Sequence, residues 1–462
     1  MLFNSLLFLF FFLIVTAGYY LLPARSRWVW VLAASCYFYM YFRPQYILII
    51  LFTIVVDYVA GILIEKAAGK RRKIYLIASI AANVGVLAFY KYYNFFAGNV
   101  NFLLGPSAEH QLPILNFILP IGLSFHTFQA MSYTIEVYRG NQKAERHFGF
   151  YALYVMFYPQ MVAGPIERPQ HILPQLRRVS KFSNKLFING LFLMSIGFFK
   201  KVVIADRLGL YVDPVFSHPA GHSALDLLLA AYFFAFQIYC DFSGYSDIAI
   251  GAGLTLGIEL MRNFNMPYLA VNISDFWKRW HISLSTWFRD YVFIPLGGSR
   301  GTFFKVCVNL LVVFMISGLW HGANWKFLIW GAFHGCLLIL YRVIKRLNIV
   351  PKGLLYLKWL VTFNIVVLAW VFFRANSVDD SFYILHKIFS LNGFFYTAQA
   401  VMNPDEIFYC IFIIAAMLAV EWYLGKAREN SNPKKILLTL ALAVACYFLG
   451  IFNETQFIYF QF

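Results

Sequence analysis

Charge is scarce in this chain, and acid is scarcer than base. Only 13% of the 462 residues are charged, with 21 Asp and Glu against 38 Lys and Arg, while 61% are hydrophobic. A soluble domain carries about twice that share of charge, so the soluble globular and disordered classes are excluded. The six cysteines (Cys36, Cys240, Cys307, Cys336, Cys410, Cys446) are scattered, mostly in apolar segments, with no CxxC spacing. That pattern implies neither a metal site nor a disulfide framework, and the thiols read as small hydrophobes in helix packing. Low-complexity linkers and internal repeats are also missing, which leaves one integral membrane domain over residues 1–462.

What is present is a succession of apolar runs near the ~20 residues needed to span a bilayer. Helices are expected at Leu2–Leu22, Trp28–Phe42, Tyr46–Ile64, Ile74–Phe96, Leu112–Tyr138 and Phe148–Ala163, then at Phe187–Ile204, Leu225–Tyr239, Val306–Leu319, Trp325–Tyr341, Leu357–Phe373, Ile407–Leu424 and Ile436–Phe452. Several are short, so about eleven full crossings plus re-entrant pieces are expected. The first run has no basic n-region and exceeds a signal-peptide h-region, so it reads as the first membrane helix. The net charge of +17 does not point to nucleic acid, because its distribution alternates along the chain. Arg25 and Arg27, Lys66–Lys73, and Arg139–Arg146 follow the first, third and fifth helices, whereas the intervening loops hold Arg43 or no Lys or Arg at all. The positive-inside rule then places Lys66–Lys73, and the later clusters Arg342–Lys358 and Lys426–Lys435, in the cytoplasm, with the N-terminus outside.

The polar groups gather in the middle. Residues 1–111 read as scaffold helices, 112–345 as the catalytic core and 346–462 as C-terminal helices. His126 lies in a run with Ser, Gln and Tyr, where a packed, hydrogen-bonded histidine is favoured over a reactant. Pro159, Pro165, Pro169 and Pro174 forbid a continuous helix over Phe157–Leu176, leaving a re-entrant lining segment or an ordinary surface loop. Asp241 and Asp247 flank two serines and a tyrosine in an apolar region. Acid/base work and cation binding are open to them, but a structural anchor for the Lys278–Arg289 stretch is favoured.

Two histidines dominate the stretch from Asp275 to Gly335, each beside a tryptophan. His281 follows Arg279 and Trp280 in an aromatic, basic segment; His321 follows Trp320 at a turn that continues through Gly322 and Asn324. If Lys305 and Arg342 mark one interface, each arm has about 16 residues, or ~24 Å of helix against a ~30 Å hydrocarbon core. His321 then sits at membrane depth, with Gly322 permitting the sharp turn. Imidazole exchanges a proton near neutrality, and an ionisable group at that depth is a functional-site hypothesis by default. A histidine that merely caps a helix is the competing reading.

The stretches LPIGLSFHTFQAMSY, YPQMVAGPIERPQHILPQL, FFKKVVIADRL, DFSGYSDIAIG, NFNMPYLAVNISDFWKRWHISLSTWFRDYVFIPLGG and ISGLWHGANWKFLIWGAFHG, with the closing FIYFQF, resemble the membrane-bound O-acyltransferases (MBOAT). Within that family they are most similar to bacterial polysaccharide O-acetyltransferases of the alginate-acetylation (AlgI) type. The resemblance covers nearly the whole chain and departs at His126, where the family pattern has Tyr or Phe. It implies an all-α polytopic membrane protein, a ring of about eleven transmembrane helices with re-entrant and interfacial helices around a central tunnel. It further implies that His321 is catalytic, that His281 is its partner across the tunnel, and that acetyl groups pass outward from acetyl-CoA or a derived thioester. The acceptor is then an extracytoplasmic polysaccharide, often reached through an esterase-like partner outside a bacterial inner membrane. No bound cofactor or metal is implied. Acetyl transfer to an alcohol needs a base and an oxyanion donor; His321 suits the first role and His281 or Asn324 the second, with an acyl-Ser317 relay as a variant. D-alanyl transfer, an ion-coupled carrier and an export scaffold are the competing functions.

Overall fold

The computed structural model describes every residue except 106–110, 117–118, 163, 349–352, 392–400, 427–431, 453–457 and 459–462. Most of the FIYFQF motif, part of the Lys426–Lys435 cluster and the expected helix end at Ala163 therefore lie outside the described residues. Helices account for the regular structure, and no strand occurs among the described residues. The chain divides into two compact units, Met1–Met194 with Ile248–Met261, and Ser195–Asp247 with Arg262–Phe462.

The first unit holds α1 (Leu6–Leu21), α2 (Arg27–Met40), α3 (Ile47–Lys66), α4 (Gly69–Leu87), α5 (Tyr93–Leu104), α6 (Leu123–Arg139), α7 (Phe148–Met156), α8 (Tyr158–Met161) and α9 (Pro169–Arg177). One boundary between the units falls inside α10 (Asn184–Phe198), and α11 (Asp206–Ser217) lies in the second. The other boundary falls inside α12 (Ala224–Thr255). The second unit continues with α13 (Ile273–Arg279), α14 (Ile282–Phe288), α15 (Phe303–His321), α16 (Trp325–Arg346), α17 (Leu355–Arg374), α18 (Val378–Ser390), α19 (Pro404–Lys426) and α20 (Asn432–Leu449).

Seven helices among the described residues are long and apolar enough to cross a membrane: Pro44–Lys66, Gly69–Leu104, Asn184–Ser217, Ala224–Thr255, Phe303–His321, Trp325–Arg346 and Leu355–Arg374. Their outer faces carry large exposed apolar side chains, for example Leu48 and Phe52 on α3, as lipid contact requires.

Two expected helices are shorter than the hydropathy suggested. The run Leu112–Tyr138 becomes helical only at Leu123, because Pro113 and Pro120 remove backbone donors upstream. Gly122 makes the entry at φ +75°, with Met161's carbonyl 2.6 Å from where a Cβ would stand. The run from Phe148 breaks at Phe157 (φ −53°, ψ 112°), since Pro159 cannot donate back into the preceding turn. The proline-rich segment after it folds into α9, whose Ile172, Leu173 and Leu176 are buried.

Candidate active site

The helical hairpin anticipated around the Trp-His-Gly turn is present, with arms of 19 and 22 residues. Small residues bring its arms together: a Cβ on Gly318 would stand 2.1 Å from the Phe327 carbonyl oxygen, and one on Gly331 would stand 2.3 Å from that of Phe314. Such close approach is how helices associate where lipid removes the hydrophobic drive. Gly322 is needed for a different reason than the one its position suggested. Its φ of −164° is ordinary extended backbone, but a Cβ there would meet the Phe327 ring at 2.1 Å. Asn324 starts the second arm, its side-chain oxygen accepting the Lys326 N–H at 3.0 Å, which leaves the amide N–H groups as its donors.

His321 ends the first arm at 4% exposure. Its ring packs against Trp320 at 4.9 Å between centroids, Trp330 at 5.1 Å and Phe373 at 5.2 Å. His281 lies near the same tryptophan, 6.2 Å from Trp320 between centroids, so both histidines and Trp320 form one aromatic cluster. Its backbone is left-handed (φ +43°), between α13 and α14. Strain of that kind persists only where the surroundings over-determine it. Here Asn263 does so: its Oδ1 accepts from the Ser283 N–H (3.3 Å), the Ser283 hydroxyl (2.9 Å) and His281 Nδ1 (3.0 Å). Because the Ser283 backbone can only donate, Oδ1 is an acceptor, and His281 carries its proton on Nδ1. Nε2 is then the basic nitrogen, a geometry suited to accepting a proton rather than to donating to an oxyanion.

The remaining sequence candidates separate. Trp280 is 1% exposed and packs among Tyr239, Phe264, Phe276 and Trp370; it is core. Arg279 pairs with Asp275 at 2.9 Å. Ser317 precedes His321 by one turn, and its side chain lines a cavity of about 260 Å³ with Trp277, Lys278, Phe288, Arg289 and Phe314. Leu310, Val313, Ser317 and His321 fall on one face of α15 by their spacing, so this cavity approaches the histidine along its own helix face and reaches it to within one turn.

Asp241 and Asp247 are ion-paired, but their partners are not in the Lys278–Arg289 stretch. Residues 199–205 form a π-helical segment that continues α10, and its wider turn aims two consecutive lysines inward. Lys200 Nζ lies 2.8 Å from Asp247 and 2.6 Å from Glu421; Lys201 Nζ lies 2.7 Å from Asp206 and 2.6 Å from Asp241. Sequence reading missed this because adjacent residues on an ordinary helix point about 100° apart. It also passed over Asn263, Trp330 and Phe373, whose only signal was their place in apolar or aromatic blocks. In the first unit His126 is 2% exposed; Thr53 donates its hydroxyl to the Ile50 carbonyl and takes His126 Nε2–H at 2.7 Å, the packed role anticipated for it.

Comparison with known proteins converges on one family. The model of the MBOAT, membrane-bound O-acyltransferase family, matches residues 141–378, a span that contains both histidines and the hairpin. A peptidoglycan O-acetyltransferase of Helicobacter pylori is 35% identical over 100% of this chain and 98% of its own. A probable alginate O-acetylase AlgI of Azotobacter vinelandii is 40% identical over 84% of this chain and 78% of its own. A teichoic acid D-alanyltransferase of Bacillus subtilis is 29% identical over 58% and 69%.

Proposed function

Since this chain belongs to the MBOAT, membrane-bound O-acyltransferase family, and is therefore a multi-pass membrane acyltransferase, we propose that it moves acetyl groups from a cytoplasmic thioester to an extracytoplasmic polysaccharide. The observation that carries the reading is the His321–Trp320–His281 cluster at the tip of the hairpin, with a cavity approaching it along α15.

In this scheme neutral His321 takes the proton of the acceptor hydroxyl as its oxygen attacks the thioester carbonyl. The carbon–sulfur bond then breaks, and the departing sulfur receives that proton as thiol. Base catalysis of this kind contributes about 10²–10⁴-fold. The Asn324 amide is the better-suited oxyanion donor, because its oxygen is already engaged in capping α16. His281, fixed by Asn263, is a second base or proton acceptor. The aromatic walls exclude the water that would hydrolyse an activated acyl group. Lys278 and Arg289, on the cavity's wall, suit an anionic donor. The same reading puts the chain in the bacterial inner membrane with its N-terminus outside and an esterase-like partner beyond it.

The test is O-acetyl content of the envelope polysaccharide in cells that depend on this chain, normalised to its level in the membrane. His321→Gln should abolish it; activity within a few-fold of the parent removes His321 from the role. A D-alanyl donor is the second reading, favoured by the Bacillus relative. Purified protein in vesicles that consumes a D-alanyl thioester in preference to an acetyl one decides for it.

A further inference from the structure

The hairpin has a second feature at the end away from His321. With arms of 19 and 22 residues, the two ends are about 28–33 Å apart at ~1.5 Å per residue, close to the ~30 Å hydrocarbon thickness. If the turn lies near one side, the base lies at the opposite interface. There a cavity of about 740 Å³ opens between the start of α15 and the last turn of α16, and Arg342, Lys345 and Arg346 line it. Their spacing, i, i+3 and i+4, puts all three on one face.

Nothing acidic answers them. No Asp or Glu occurs from Tyr291 to Val378, a stretch that carries nine Lys and Arg. Among the described residues none of the three pairs with a carboxylate. The Arg346 guanidinium instead lies 5.2 Å from the Phe303 ring centroid. Gly301, Thr302 and Phe303 bring the N-terminus of α15 to the same cavity, adding unsatisfied backbone N–H groups and the positive end of the helix dipole. Three like charges gathered without counter-charge are costly unless an anion joins them.

The flanks say what kind of anion. Phe304 is 77% exposed, Leu347 61% and Leu340 53%, so apolar surface borders the cations directly. A soluble anion would gain nothing from it; a lipid would gain along its whole length. We propose that this cavity is a binding site for an anionic phospholipid, its phosphodiester on Arg342, Lys345 and Arg346 and its acyl chains along Leu340, Leu347 and Phe304. Basic pockets at the ends of membrane helices bind such headgroups by charge and by helix-end N–H donors together.

The full-length protein in nanodiscs of mixed phosphatidylglycerol and phosphatidylcholine gives the test, read by native mass spectrometry of lipid retained after release into detergent. The parent should keep phosphatidylglycerol preferentially. Arg342→Gln/Lys345→Gln/Arg346→Gln should retain it on the order of a hundredfold less, from roughly fivefold per basic side chain near an anionic interface. Lys70→Gln/Arg71→Gln/Lys73→Gln, which removes as much charge elsewhere, should keep it. The thermal midpoint of each variant in detergent separates a lost site from a lost fold, and Lys345→Gln alone serves if the triple variant does not fold. Equal retention by the parent and the folded triple variant, or by the folded Lys345→Gln variant, overturns the assignment. So does displacement of the lipid by millimolar inorganic pyrophosphate, which would make the site one for a soluble phosphate ester.

Discussion

The α3–α4–α6 bundle and the α15–α16 hairpin each hide a histidine in a membrane-length segment, and they treat it differently. In the bundle, polar groups hydrogen-bond one another. His126 is tied to Thr53, and Asp57, fully buried one turn on, accepts from Ser79 at 2.6 Å and from Asn83 at 2.9 Å to both oxygens. Around His321 the neighbours are rings, and a cavity approaches along the same helix face. Buried polar groups that satisfy each other hold helices together. A histidine walled by aromatics sits in a different environment from one tied into a network of hydroxyls, amides and a carboxylate.

The strongest way to break that contrast is to treat both histidines alike. His321→Gln is expected to lower polymer acetylation by about 10²–10⁴-fold, whereas His126→Gln should stay within a few-fold; equal losses would mean the two sites are not distinct in kind. Asn263→Ala comes next. Losing the group that sets His281's proton and backbone should cost on the order of a hundredfold in turnover per folded molecule, as misplacement by about 1 Å does elsewhere, beyond about 1–3 kcal/mol of stability lost through the stranded Ser283 and His281 donors. Asp57→Ala should destabilise the protein by a similar amount, about 1–3 kcal/mol, through the stranded Ser79 and Asn83 groups, but with activity per folded molecule retained. Thermal midpoint and specific activity measured together tell these two apart.

The smallest effect lies outside the membrane-length helices. Glu167, fully buried, holds His171 Nδ1 at 2.8 Å and also takes the Met261 N–H at 2.5 Å. The hydrogen bond that His171 donates to the Glu167 carboxylate raises the His171 pKa above its ordinary value. The imidazolium is thus preferred in the fold, so its contribution is complete below the unfolded pKa and fades as pH rises through the folded one. With His171 42% exposed, solvent screening keeps this to well under about 1 kcal/mol. Thermal midpoints between pH 5 and 9 should fall slightly more for the parent than for His171→Gln. A steeper fall in the variant would assign the dependence to another group.

Much of the candidate site's local structure was legible because its residues sit in short, dense blocks. The Trp320–His321–Gly322 turn between two apolar helices, with Ser317 one turn away, follows from hydropathy and helical spacing alone; the arms, at 19 and 22 residues, are longer than the roughly 16 that reading gave them. Asn263 was not legible, since a single amide 18 residues before His281 has no periodic signature. The partners of Asp241 and Asp247 were misassigned for a related reason: the π-helical turn at 199–205 changes which way Lys200 and Lys201 point, and no local pattern announces it.

Composition settled that this chain lives in a membrane, because apolar residues at 61% and membrane-length runs leave it no soluble alternative. The motif blocks settled the family. Which partner each buried polar group takes was decided only in three dimensions. A hydrogen-bond partner 73 residues away for His126, or 18 away for His281, is fixed by how helices pack rather than by what stands beside it in sequence.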